Sequence, residues 1–219
     1  MRRTVVFDFG AVLFRWQPLE LLQAVLPQHA PDENAAREWA ARIFESFTPD
    51  SDWARFDLDL VDEAQLARRI AQRTGLAAEA ARQVIDAASE HLTALPATLA
   101  LFRQLQAAGH RLMYLSNMPR PYANRLERAN PFIGDFENGI FSGRVGLMKP
   151  WPAIFELASL QFGLSPGQET LFIDDHPGNI AASRKHGWHG LRFEHAKQAE
   201  AELRRLGWLQ PCPALPTHP

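Results

Sequence analysis

Apolar residues along this chain fall in short unbroken runs separated by longer amphipathic stretches. The runs are TVVFDF (4–9), RLMYLS (111–116), GIFSG (139–143), TLFIDD (170–175) and GLRF (190–193). Continuous apolar character of this length predicts strands covered on both faces, as in a parallel sheet. The stretches between them read as helices. ATLALFRQLQAAGH (97–110) repeats apolar residues at i and i+4 and carries Gly near its end. WPAIFELASLQFG (151–163) and PGNIAASRKHG (177–187) set Pro in the first turn and Gly at the stop, the usual asymmetry of helix ends. Strands alternating with helices predict an α/β fold built on a doubly wound parallel sheet.

One region interrupts the alternation. Between Pro18 and Leu95 the pattern is helical throughout, as in ENAAREWAARIFESF and DEAQLARRIAQRTG, with no convincing strand. A plain crossover between parallel strands takes roughly a dozen or more residues, far fewer than this. The expected organisation is therefore a core from 1–16 and 96–210, with a helical cap from 17–95 inserted after the first strand and lying over the carboxyl end of the sheet. The last nine residues, PCPALPTHP (211–219), are expected to form a disordered tail.

Composition narrows the chemistry. Of 219 residues 46% are hydrophobic, enough for a substantial core, and the net charge of -2 gives no polyelectrolyte signature for a nucleic acid or an anionic membrane. The single Cys212 excludes both a disulfide framework and a cysteine metal site. No apolar run approaches the roughly 20 residues that span a bilayer, and the apolar stretch after MRR is short and broken by Asp8, so it reads as a strand and not a signal peptide. A cytoplasmic protein, monomeric or homodimeric, is expected.

Polar residues with chemical potential fall at the carboxyl ends of the expected strands, where open α/β sheets bind ligands. They are Asp8, Ser116 with Asn117, Lys149 in GLMKP, and Asp174 with Asp175. Singly, each has an ordinary explanation: a turn former, a helix cap before Pro119 or Pro177, a solvated lysine. Together they suggest more. Carboxylates converging on one edge repel, and a cation is needed to keep them ionised. Mg²⁺ suits an all-oxygen shell shared between protein, water and phosphate. Lys149 would meet the remaining phosphate charge, and Ser116 and Asn117 at a helix N-terminus would supply hydroxyl and N–H donors.

The order of these residues resembles the haloacid dehalogenase superfamily. FDFGAVLFRWQP, YLSNMPR, IFSGRVGLMKPWPAIFE and LFIDDHPGNIAASRKHGWHGL are similar to the motifs of its phosphatase-like branch, subfamily IA variant 3, over nearly the whole chain. The resemblance implies that Asp8 attacks phosphorus to form an aspartyl-phosphate. It implies that Ser116 and the backbone at Asn117 hold phosphate oxygens, and that Lys149 orients Asp8 and neutralises charge. Asp8, the backbone carbonyl of Gly10 and Asp175 match metal-ligand positions, with Asp174 a ligand or its support. Asn179 falls where relatives often keep a further acid. The substrate implied is a small phosphorylated metabolite, chosen by the inner face of the cap.

Gly10 departs from the pattern, because most phosphatases of the superfamily carry Asp there as general acid and base. The carbonyl survives for a metal, but proton transfer worth roughly 10²- to 10⁴-fold is lost. Three outcomes are open: a substrate with a good leaving group such as a sugar 1-phosphate, whose hydrolysing members share FDxGxV; another proton donor, His176 being nearest in sequence; or weak catalysis. Dehalogenases of the superfamily also lack this acid, but their last motif normally reads Ser-Ser-Asn, and Asp174-Asp175 would repel a substrate carboxylate. A non-catalytic binding protein on the same fold is a third reading. Trp16, just after the first motif, is placed as a hinge or pocket wall; Trp53 and Phe56 are further pocket candidates, whereas the helical spacing of Trp39 suits cap packing. Arg15 and Arg120 could reach an anionic substrate, although arginines are ordinarily just solvated.

Overall fold

The computed structural model describes residues 2–45, 48, 50–165 and 167–210. The segment 211–219 read above as a tail lies outside them. Five strands, β1 (Thr4–Phe7), β2 (Arg111–Ser116), β3 (Asn138–Phe141), β4 (Thr170–Asp174) and β5 (His189–Arg192), form one parallel sheet in the order β3-β2-β1-β4-β5. The expected α/β fold is observed. Residues of β1 alternate between the two faces as strand geometry requires. Val5 and Phe7 join one apolar cluster with Leu101, Phe102 and Tyr114. Val6 joins the other with Met113, Leu115, Phe155 and Phe172. All four β1 side chains, Thr4 included, are fully buried, so neither face of the strand meets solvent.

Helices cover both faces. On the Val6 side lie α9 (Pro152–Gln161) and α10 (Pro177–Lys185). On the Phe7 side lie α6 (Pro96–Ala107), α7 (Arg120–Ala129) and α11 (Ala196–Arg205). Helix α9 stops at Gln161 because Gly163 takes a φ of 62°, which a side chain would resist. Gly139 in β3 serves differently: a Cβ there would lie 2.0 Å from the Tyr114 ring, so only glycine lets that ring lie across the strand.

Between β1 and α6 the chain makes the expected helical insert of α1 (Pro18–Val25), α2 (Glu33–Phe44), α3 (Asp52–Asp57), α4 (Glu63–Thr74) and α5 (Ala78–His91). Asp32 and Ser51 cap α2 and α3 with their side chains, and Asp62 with Gln65 forms a reciprocal capping box on α4. Trp39 packs within the insert, its ring edge-on to His29 and under the Arg42 guanidinium. The insert leaves and rejoins the core side by side: Arg15 N–H donates to Thr93 O and Leu95 N–H to Leu13 O, each at 2.8 Å.

Two local expectations are corrected. The strand read over 139–143 ends at Phe141, and Ser142–Val145 forms the one-turn helix α8. The Ser142 hydroxyl holds this corner, accepting from Met118 N–H at 2.8 Å and donating to Asp57 O at 2.6 Å. Ser116 and Asn117 do not stand at a helix N-terminus either, since α7 begins at Arg120. Pro119 disfavours helical backbone at Met118, whose N–H and carbonyl are already engaged by Ser142 and Gly143. Among the described residues no helix is long and apolar enough to cross a membrane.

Candidate active site

Parallel pairing aligns Phe7 with Ile173 of β4 and with Tyr114 of β2. Continuing the same register by one residue sets Asp8 level with Asp174. Apolar strands thus deliver two carboxylates to one edge, and Asp175 follows directly. One oxygen each from Asp8, Asp174 and Asp175 lies within 4.8 Å of the others. The Lys149 ammonium sits between two of them, 2.8 Å from Asp8 Oδ1 and 2.6 Å from Asp174 Oδ2. Lys149 itself is buried, at 2% exposed. Its loop is pinned by a reciprocal pair: Asn117 Nδ2 donates to Lys149 O at 2.9 Å, and Lys149 N–H donates to Asn117 Oδ1 at 2.8 Å.

The three acids are held differently. Asp8 Oδ1 also accepts from Phe9 N–H at 2.7 Å, which leaves Oδ2 without a hydrogen bond among the described residues. Asp174 is fully enclosed. Both its oxygens accept from Asn179 Nδ2 at 3.0 Å, and Oδ1 takes His176 N–H at 2.8 Å besides the lysine on Oδ2. Asp175 is half-buried and faces the cavity.

A cavity of about 210 Å³ opens above this edge. Asp8, Gly10, Ser116, Asn117, Lys149, Asp175, His176 and Asn179 line its floor, and Trp16, Trp53, Ala54, Leu92, Met118, Tyr122 and Met148 make its apolar walls. Arg120 is not brought there: its guanidinium bonds Asp59 Oδ2 at 3.0 Å and the Gly143 carbonyl at 3.2 Å. Arg15 turns to Gln17 and Glu20. His176 reaches the cavity but spends Nδ1 accepting the Gly178 N–H, capping α10.

Electrostatics follow from this burial. Loss of water pushes the Asp8 carboxyl up to about 7 against the pull of Lys149, with Asp174 and Asp175 adding to the rise. Burial, then Asp174, raises Asp175 as well. Burial works to lower the Lys149 ammonium, yet Asp174 and Asp8 hold it above the ordinary lysine value. Three carboxyls share one ammonium, so the edge carries excess negative charge that a hard divalent cation fits. Asp8, Asp175 and the carbonyl of Gly10 supply oxygen donors of the right kind for Mg²⁺.

The sequence profile of haloacid dehalogenase-like hydrolases matches residues 3–187. The chain belongs to the haloacid dehalogenase-like hydrolases. A sesquiterpene phosphatase of Aspergillus oryzae is 24% identical over 205 residues, covering 93% of this chain and 96% of its own. Among solved structures of the family, an enzyme of Bacteroides thetaiotaomicron in complex with magnesium and inorganic phosphate superposes with a TM-score of 0.63 at 22% identity, over 89% of this chain and 95% of that one. The L-2-haloacid dehalogenase of Xanthobacter autotrophicus, with chloropropionic acid covalently bound, superposes at 0.64 with 18% identity, over 96% and 85%.

One acidic cavity residue of this haloacid dehalogenase-like hydrolase is not among the candidates that the sequence pattern singles out. Asp57, the last residue of α3, is 8% exposed and faces the cavity from the cap. Burial first, and then the negative charge of Asp8, push its carboxyl up to about 8. The signal was its spacing. Asp57 lies one helical turn after Trp53, placing an acid on the apolar face of an amphipathic helix.

Proposed function

We propose that this hydrolase is a Mg²⁺-dependent phosphomonoesterase that works through an aspartyl-phosphate on Asp8. The observation that carries the reading is the acid edge: one free carboxylate oxygen on Asp8, Asp175 beside it, and a single buried lysine beneath. A dehalogenase acting on a carboxylate substrate would bring further negative charge to this edge, which disfavours that reading.

In the proposed reaction Asp8 Oδ2 attacks phosphorus in line while Lys149 and the Phe9 N–H hold Oδ1. Ser116 and the backbone around Asn117 bind phosphate oxygens at the floor. Asp8, Asp175 and the Gly10 carbonyl would hold Mg²⁺, which when bound supplies positive charge to the phosphate and offsets the three acids. Asp174, with both oxygens already taken, serves as the anchor that fixes Lys149.

The cavity walls favour an apolar organic group over a sugar. Away from the motif residues, the wall offers polar side-chain groups at Asp57 and Tyr122, apart from indole N–H. The Tyr122 hydroxyl is already given to the Ile85 carbonyl. Sugar hydroxyls would lose water there for few partners, at a cost of about 1–3 kcal/mol for each unsatisfied group. Similarity to a sesquiterpene phosphatase points the same way.

The test is a panel of sugar 1-phosphates and prenyl or alkyl monophosphates assayed for phosphate release with Mg²⁺ and with EDTA. The expected outcome is Mg²⁺-dependent turnover favouring the apolar esters, abolished in Asp8→Asn. Turnover surviving in Asp8→Asn would end the covalent reading, and preference for sugar phosphates would end the substrate reading.

A further inference from the structure

We propose that Asp57, carried by the cap, is the catalytic residue that protonates the leaving group in place of the acid missing at position 10. This rests on the phosphatase reading of the site and adds the proton path that reading lacks.

In-line attack by Asp8 from the sheet edge places the departing oxygen on the far side of phosphorus, toward whatever covers the cavity. On the cap side the cavity is lined by Trp53, Ala54 and Asp57 of α3 and by Leu92, and Asp57 lies near enough to Asp8 to feel its charge. Asp57 is the carboxyl on that covering surface among the described residues. Its side chain makes no hydrogen bond or ion pair among them, and only its backbone carbonyl is engaged, by Ser142. A nearly buried carboxyl with an open, unpartnered end inside an apolar wall contributes nothing to packing and is costly to ionise there. It stands at the carboxyl end of its helix, where the backbone dipoles also disfavour negative charge. The rise of its titration toward 8 agrees with a group that carries a proton at neutral pH.

The step balances. Asp8 carboxylate forms a bond to phosphorus as the ester P–O bond breaks, and the departing oxygen takes the proton of the Asp57 carboxyl, giving alcohol, aspartyl-phosphate and Asp57 carboxylate. Water then attacks the aspartyl-phosphate and gives its proton back to Asp57, regenerating Asp8 and releasing inorganic phosphate. Asp57 thus serves first as acid and then as base, Asp8 carries the phosphoryl group throughout, and water is the one reagent that enters besides the ester.

Leaving-group dependence tests this. Rapid-quench bursts are measured for wild type, Asp57→Asn, and Asp57→Asn combined with Gly10→Asp, using 4-nitrophenyl phosphate, whose phenolate departs unaided, and hexyl phosphate, whose alkoxide does not. Asp57→Asn should cut the hexanol burst roughly 10²- to 10⁴-fold and the nitrophenol burst less than about tenfold. Its steady state on the aryl ester should fall below its burst, because water then lacks its base. Position 10 has room for the rescue: a Cβ there meets no heavy atom within 4 Å. The double variant should recover at least about tenfold of the hexanol burst. Equal loss on both esters, or no loss on hexyl phosphate, would overturn the assignment while leaving the phosphatase reading intact. A wild type that turns over neither ester would overturn both.

Discussion

Replacing Lys149 with Met isolates the electrostatics of the acid edge. The ammonium lies 2.8 Å from Asp8 and 2.6 Å from Asp174, and those two side chains are only 10% and 0% exposed. Removing one partner of a buried ion pair generally costs about 3–5 kcal/mol, because the other charge stays behind without water. Met fills the aliphatic volume, so packing changes little, while the contact of the ammonium with the Phe172 ring, 5.3 Å from its centroid, is lost with the charge. For a chain of this size each kcal/mol moves the melting temperature by about 2–4 °C, so a fall of roughly 6–20 °C is expected at pH 8 in EDTA. At pH 6 the fall should be smaller, since Asp8 can then take up a proton. Urea unfolding followed by tryptophan fluorescence gives the free energy directly. Lys149→Met combined with Asp174→Asn should be at least about 2 kcal/mol more stable than the two separate losses summed. A loss below about 1 kcal/mol at pH 8, or simple additivity of the pair, would refute the view that Lys149 compensates two buried carboxylates.

Two other outcomes are expected. Because the folded-state value of Asp8 is raised from 3.8 to about 7, its contribution favours folding at low pH and fades as pH rises through that window; Mg²⁺ should therefore raise the melting temperature more at pH 8 than at pH 5, and an equal or larger effect at pH 5 would count against the acid edge as its site. Ser142→Ala leaves both the Met118 N–H and the Asp57 carbonyl without their hydroxyl partner, and should cost about 1–3 kcal/mol by urea unfolding, a loss under about 0.5 kcal/mol showing that water or rearrangement replaces it.

What could be read beforehand divides along physical lines. Asp8, Asp174 and Asp175 were legible because each terminates an apolar run, and parallel strands must bring such termini to one edge. Lys149 was legible only through order and resemblance; nothing in GLMKP announces a fully buried ammonium. Arg120, read as able to reach an anionic substrate, is turned instead to Asp59 across the cap boundary, a contact 61 residues away in sequence that no local pattern announces. The helix after Ser116 begins later than expected because tertiary bonds from Ser142 and Gly143 hold the loop extended. Asp57 stayed hidden for a related reason. In WARFDLDL its spacing from Trp53 sets it on the apolar side of the helix, but only the docking of the cap on the core shows that this side faces the cavity.

The side-by-side stem at Leu13–Arg15 and Thr93–Leu95 has an evolutionary consequence. A segment that departs and returns through one pair of neighbouring backbone strands can be exchanged or lengthened without shifting the pairing of β1 with β2 or β4. In this chain that exchangeable cassette holds much of the apolar wall and, by our proposal, the acid as well. The core could then dispense with a side chain at position 10, and substrate preference and proton chemistry would be inherited together, as one graft.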